Sequence, residues 1–247
     1  YSYISPSAYI KTNVEGTYNV LEASRNNKIK QVIITSTSET YGSAQTYKIS
    51  ENHPLNAQSP YAATKIAADQ LAISYYKSFN TPVKIIRPFN TYGPRQSLRA
   101  VIPTIICQAI RGNIIKIGNL HTSRDLTYVQ DTCSAYFSIL NSSKTFGEVI
   151  NVGSDNNFNI LDLIKKVSKI FNKKLIIKKI PERIRPVKSE VYRLRCDNKK
   201  IIKLTDWKPL YSNKNKFDNA LESTIKWFMD KKNLDYYNKK ILNKYNV

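Results

Sequence analysis

Glycine is scarce in this chain: there are seven in 247 residues, and no G-x-G-x-x-G or G-x-x-G-x-x-G occurs. A glycine-rich loop that lets backbone N–H groups close on a pyrophosphate is therefore not among these residues. No apolar run approaches membrane-spanning length, and the opening residues carry no signal-peptide pattern. Cysteine is limited to Cys107, Cys133 and Cys196, an odd number at wide spacing. That excludes a disulfide framework and fits the reduced thiols of a cytoplasmic protein. The two histidines, His53 and His121, have no metal-ligand company, so they read as ordinary loop residues and no metal is expected.

Acidic side chains are also few: 18 against 39 Lys and Arg, for a net charge of +21. Such an excess raises nucleic acid as a partner. The lysines are scattered beside Asn and Ile, however, without an aromatic–basic RNA motif, zinc knuckle or helix-turn-helix pattern. A lysine- and asparagine-heavy composition is the simpler reading, and neither a nucleic-acid nor a membrane partner is expected. A basic surface still steers anionic small substrates.

What is present alternates between helix and strand. Ser5 and Pro6 form a cap-plus-proline start, followed by a helix with Ile10, Val14, Tyr18 and Leu21 as its apolar stripe. "QVIIT" reads as a buried strand. After a polar loop over 43–58, Ser59 and Pro60 start a long helix, and "VKIIRPFN" is the next strand. Further helices are expected in "VIPTIICQAIRG", "DTCSAYFSIL" and "ILDLIKKVSKIF", and near 198–204 and 216–231. Strands are expected in "IIKIG", "LTYV", "VINVG" and "KLIIKKI". The order predicts an α/β fold with a parallel sheet covered by helices. Trp207 reads as a core anchor of a small C-terminal lobe, and the tail beyond 234 is expected to fray. There is no repeat and no clean linker.

The chemistry gathers at the end of the "QVIIT" strand, where "TSTSETYG" places hydroxyls and the Glu39 carboxylate. Strand ends of parallel sheets are where ligands sit. Tyr61 and Lys65 lie four apart on one helix face, and a nearby lysine lowers a phenol's pKa towards that of a working base. A lone Y-x-x-x-K is a common amphipathic pair. Its company changes the odds: Thr37 before it, then "RPFNTYGP" and "SRDLTYVQD" after it.

In that order the motifs resemble the extended short-chain dehydrogenases/reductases that modify nucleotide sugars, over essentially the whole chain. The resemblance implies a Rossmann-like parallel sheet with helices on both faces and a small C-terminal α/β substrate lobe. It divides the chain into residues 1–95, the remaining part of an NAD-binding domain with strands from about 114–153 added, and 96–247, mainly the substrate lobe. It further implies that an N-terminal half-Rossmann unit precedes Tyr1, that this chain is a fragment inactive by itself, and that the whole protein is a homodimer. Carried over, Thr37, Tyr61 and Lys65 form the catalytic triad; Thr35, Tyr61, Lys65 and Phe89 contact NAD; Thr37, Asn90, Arg124 and Arg185 contact the nucleotide sugar. For Asn90 the alternative is a turn residue satisfying its own backbone. Arg185 is chosen over Arg193 for the diphosphate. Arg95 and Arg99 line the sugar pocket or are solvated, and Asp125 and Asp131 orient the loop or cap the next helix.

Ser38 and Glu39 sort the subfamilies. Epimerases of this kind carry small or neutral residues there. The 4,6-dehydratases usually carry Asp-Glu, the Glu removing the C5 proton. With Ser38, either Glu39 is both base and acid or a water on Ser38 relays the proton. The longer stretches "SPYAATKIAAD" and "RPFNTYGPRQSLRAVIPTII" are similar to the UDP-N-acetylglucosamine 4,6-dehydratases of the legionaminic acid pathway. UDP-glucuronate decarboxylases, which also carry Ser-Glu, are the runner-up, ahead of 4-epimerases and of a non-catalytic nucleotide-binding protein.

Overall fold

A computed structural model describes residues 2–181 and 186–240. It begins with α1 (Pro6–Tyr9), a π-helical segment (Ile10–Glu15), α2 (Gly16–Asn26), β1 (Val32–Thr35), α3 (Pro60–Phe79), β2 (Val83–Pro88) and β3 (Asn90–Tyr92). Next come α4 (Val101–Arg111), β4 (Ile114–Ile117), β5 (Ser123–Arg124), β6 (Leu126–Tyr128), α5 (Val129–Asn141), β7 (Val149–Val152) and β8 (Phe158–Asn159). Then follow α6 (Ile160–Phe171), β9 (Ile176–Lys179), β10 (Arg193–Leu194), α7 (Lys199–Thr205), α8 (Lys214–Met229) and α9 (Lys231–Lys240).

The central sheet is parallel, in the order β1-β2-β7, with Thr35 opposite Ile86 and Pro88 opposite Val152. Because side chains alternate across a strand, each face builds its own core. Ile34, Val83 and Ile85 pack with Leu21, Ala72 and Tyr75 of α2 and α3. Ile86, Ile150 and Val152 pack on the other face with Ala135, Ile139 and Ile201 of α5 and α7. This is the Rossmann-like arrangement, with helices on both faces. A second core joins α4, α6 and α8 to β3, β4 and β6. Around it, β3 pairs with β6, β4 with β9, and β5 lies between β10 and β8.

The central strand β2 carries two buried cations, one for each face. Arg87 makes an ion pair with Asp69 of α3 at 2.9 Å and donates to the Tyr41 hydroxyl (2.9 Å). Tyr41 in turn donates to Asn151 of β7 (2.7 Å), and Ser36 donates to the same Asp69 oxygen (2.8 Å). On the opposite face Lys84 donates to the carbonyls of Ile139, Leu140 and Ser142, at 2.9, 3.0 and 2.9 Å. Those carbonyls close α5, whose last turn has no helical partners for them. The outer edge of β7 is covered by side chains: Glu51 accepts from Asn151 N–H, and Lys200 donates to the Val149 carbonyl.

Several expectations change. The first helix keeps only Leu21 fully buried; Ile10 is 51% and Tyr18 48% exposed. The π-helical segment breaks the 3.6-residue spacing between Ile10 and the helix after it, so Ile10 turns outwards. Ser5 stands before Pro6 as expected, but its side chain accepts no capping bond, whereas Ser59 accepts from Ala62 N–H. β1 is half-buried and not wholly buried, since it lies at one end of the sheet order and Thr35 is exposed. Trp207 anchors the α5–α7 face of the central sheet instead of a small lobe, with its indole N–H on Ser134 Oγ (2.9 Å). His53 is buried, accepting from Gln45 N–H and paired through Nδ1 with the Pro54 carbonyl. α9 runs to Lys240, started by the Asp230 carboxylate accepting from Lys232 and Asn233 N–H, and the rest of the tail expected to fray lies outside the described residues.

Removing one member of a buried ion pair leaves the other charge without compensation. Arg87→Met is therefore expected to lower unfolding stability by about 3–5 kcal/mol, read as a fall in the urea midpoint. Arg87→Met combined with Asp69→Leu should recover part of that loss, and a single variant as stable as the native chain would contradict the assignment.

Candidate functional site

The site grows from the carboxyl end of β1. Its last residue is Thr35; Ser36 then turns inwards to Asp69, and Thr37 takes an extended conformation that caps a short 3-10 helix, Ser38–Tyr41. Thr37 Oγ1 accepts from Glu39 N–H (3.2 Å), and the Thr37 carbonyl accepts from the Thr40 hydroxyl (2.8 Å). This turn buries Ser38 and leaves Glu39 half-buried beside it. Gly42 ends the turn at φ 64°; a Cβ there would lie 2.6 Å from the Asn56 carbonyl oxygen, so a side chain is excluded.

The first turns of α3 face this strand end. Tyr61 is hydrogen-bonded through its side chain to Thr37, and Lys65 Nζ donates to the Thr35 carbonyl (2.7 Å). The Tyr136 hydroxyl of α5 donates to Thr35 Oγ1 (2.9 Å), which ties the opposite layer to the same residue. Thr35, Thr37, Ser38, Glu39, Tyr61 and Lys65, all singled out in the sequence, are thus brought to one place.

The electrostatics correct one expectation. Burial pushes the Tyr61 phenol above its usual value; the Thr37 bond opposes this, and Glu39 adds to the rise. Lys65 is not among the principal influences on Tyr61, because its ammonium is turned to the Thr35 carbonyl. Burial lowers the Lys65 pKa, and the Asp69 carboxylate four residues on opposes that.

Asn90 starts β3 and pairs with Leu126 of β6, while Arg124 ends β5, two residues before Leu126 in the chain. Asn90 lies in β3 and not in a turn, and its side-chain oxygen is buried without a hydrogen-bond partner. The Arg124 guanidinium donates to the Ser123 carbonyl (2.9 Å). The Phe89 ring is 3% exposed and packs with Tyr41, Ile49, Val191, Leu194 and Cys196. Arg95 and Arg99 are exposed, and Arg185 lies outside the described residues.

Asp131 does not cap α5. It accepts from Leu210 and Tyr211 N–H, at 2.8 and 2.9 Å, and so ties the chain between α7 and α8 to α5. Asp125 does orient its loop, accepting from Cys196 N–H, Ser154 N–H and the Thr127 hydroxyl. Sequence reasoning missed Asp69, Tyr41, Asn151 and Tyr136. Asp69 had a signal, since it continues the Tyr61–Lys65 ladder by four residues.

With this geometry in place, comparison with known proteins is informative. The family model described as GDP-mannose 4,6 dehydratase matches residues 1–219. The chain belongs to that family. A dTDP-D-glucose 4,6-dehydratase of Dictyostelium discoideum is 35% identical over 174 residues, covering 66% of this chain and 40% of that protein. The solved dTDP-glucose 4,6-dehydratase from Bacillus anthracis, in complex with NAD, superposes with a TM-score of 0.83 at 30% identity. It covers 93% of this chain and 71% of that one. A UDP-glucuronic acid 4-epimerase from Bacillus cereus, in complex with UDP-glucuronic acid and NAD, gives a TM-score of 0.81 at 30% identity, over 88% of this chain and 67% of its own. The chain spans about half the length of the curated relatives it matches.

Complete burial pushes the Asp125 carboxyl up to about 7, against the bonds it accepts. The folded chain thus holds this proton more tightly than the unfolded one, whose carboxyl titrates near pH 4. The stabilisation is full below the unfolded pKa and is lost as pH rises through the folded one. Between about pH 4 and 7 unfolding free energy should fall by up to about 1.4 kcal/mol per pH unit from this group. Denaturant titrations at several pH values should show a shallower slope for Asp125→Asn; an identical slope would contradict this.

Proposed function

We propose that the intact protein carrying this chain is an NAD-dependent nucleotide-sugar 4,6-dehydratase acting on UDP-N-acetylglucosamine. In this reading it is a cytoplasmic lyase of bacterial surface-glycan or nonulosonic acid biosynthesis. The observation that carries the reading is the placement of Glu39: a carboxylate on the turn that Thr37 caps, close enough to Tyr61 to raise its pKa. A proton acceptor beside a tyrosine acid–base group suits abstraction next to a sugar ketone. It is superfluous for epimerisation alone.

The residues present fit the reactive end of NAD. Lys65 has three N–H donors, of which the Thr35 carbonyl takes one, so two remain for ribose hydroxyls. Tyr61 already holds its partner Thr37. The chain offers no glycine-rich pyrophosphate cradle among these residues. Bound there, NAD would supply the hydride acceptor and donor for the C4 and C6 positions. Tyr61 removes the C4 hydroxyl proton while Thr37 holds the oxygens in line. Lys65, anchored on the Thr35 carbonyl, turns its remaining donors to the nicotinamide ribose. Glu39 then removes the C5 proton, which the C4 ketone has acidified, the C6 hydroxyl leaves as water with a proton from Glu39 or from a water on Ser38, and C5 regains a proton from solvent as C6 receives the hydride. Asn90, with its unpartnered amide oxygen, and Arg124 face the nucleotide sugar, Arg124 through its permanent charge on the diphosphate. Arg185 and Phe89 belong to the same reading. Tyr18, Val20, Tyr76 and Phe79, apolar and exposed on α2 and α3, support a homodimer built on these helices.

Glu39→Gln keeps the turn but removes the base. Water loss from UDP-N-acetylglucosamine should drop by about 10²–10⁴-fold with KM little changed, and deuterium from solvent should no longer enter at C5. Dehydration at the native rate would refute the role given to Glu39.

A further inference from the structure

The reaction proposed above depends on where the Tyr61 oxygen sits, and one neighbour of that ring comes from outside the strand-end cluster. Tyr9, the last residue of α1, meets the Tyr61 ring edge-on, with centroids 5.8 Å apart and planes at 78°. Tyr9 is half-buried, and its influence reaches the Tyr61 hydroxyl. The segment that follows it is the six-residue π-helix Ile10–Glu15. Runs of π-helix are rare, because the wider turn loses helical contacts, and they concentrate at functional sites. Two residues four apart face α3 here: Tyr9, just before the wide turn, meets Tyr61, and Asn13, within it, donates its amide to Thr64 Oγ1 at 2.9 Å. Thr64 donates back to the Tyr61 carbonyl (2.9 Å), so both ends of Tyr61 are held.

The backbone of Tyr61 is fixed by its helix, but its ring is free to swing unless something packs against it. Thr37 holds the hydroxyl by a single bond, and that bond must loosen when the phenol exchanges its proton. A ring edge against the ring face is independent of proton position. We propose that Tyr9 is a positioning residue whose aromatic ring holds the Tyr61 ring so that its oxygen stays aligned between Thr37 and the reacting sugar hydroxyl. This rests on the reading of Tyr61 as the acid–base group. A loose Tyr61 would leave sugar binding intact and reduce the time spent in reactive geometry, so the loss falls on kcat and not on KM.

The experiment compares Tyr9→Ala, Tyr9→Leu, Tyr9→Phe and Tyr61→Phe in the intact protein, using UDP-N-acetylglucosamine with NAD and recording kcat, KM and thermal melting. Tyr9→Ala and Tyr9→Leu should lose about 10- to 100-fold in kcat with KM within about twofold, while Tyr9→Phe, which keeps the ring edge, stays near native. If Ala at this position unfolds the chain, Leu, which keeps bulk without a ring, decides. Native kcat in Tyr9→Leu overturns the proposal, as does a rise in KM alone, or equal losses in the Leu and Phe variants. Tyr61→Phe separates the two levels. If it is inactive while Tyr9→Leu is normal, only the role of Tyr9 falls. If Tyr61→Phe turns over normally, the acid–base reading itself fails and takes this proposal with it.

Discussion

The two buried cations of β2 are the constraint on which the rest of the structure depends. A parallel sheet must hold helices on both faces at fixed depth, and apolar contact alone leaves them free to slide. Arg87 and Lys84 remove that freedom because each is a charge out of water that accepts only one arrangement of partners. Arg87 finds Asp69, and through it the helix that carries Tyr61 and Lys65. Lys84 finds the end of α5, and through it the helix from which Tyr136 reaches Thr35. The two layers therefore meet the β1 strand end in register, although the residues that set the register lie away from the chemistry.

The same arrangement explains why a strand ending in hydroxyls is a stable place for reactive groups. Ser36 bonds Asp69, Thr37 caps its own turn and holds Tyr61, and Thr35 receives Lys65 and Tyr136. Ser36 and Thr35 are engaged by residues of α3 and α5. Glu39 is half-buried on the same turn. The clustered residues stand on strand ends and helix starts, which favours precise placement.

A large part of this was legible in the sequence. Alternation of β-branched runs with capped helices gave the sheet and its covering layers, and the family resemblance carried by the motifs around Thr37, Glu39, Tyr61 and Lys65 gave the cluster. What escaped has physical reasons. The partners of Lys84 are backbone carbonyls 55 to 58 residues away, which leave no mark on residue type. The π-helical segment has no composition signal of its own, so a stripe drawn at α-helical spacing misplaced Ile10. Trp207 was assigned to the wrong core because an aromatic near the C-terminus says nothing about which face it reaches. The Tyr61 pKa moved against expectation because spacing places Lys65 on the same helix face but does not show that its ammonium turns to a carbonyl.

Membership of a family that includes both dehydratases and epimerases among its structural likenesses leaves the outcome to a few side chains, with Ser38 and Glu39 foremost. The most direct measurement incubates the intact protein and NAD with UDP-N-acetylglucosamine, UDP-glucuronate and dTDP-glucose, and reads product masses. The account predicts loss of one water from UDP-N-acetylglucosamine. Loss of carbon dioxide from UDP-glucuronate, or an isomer formed with no change of mass, would contradict it.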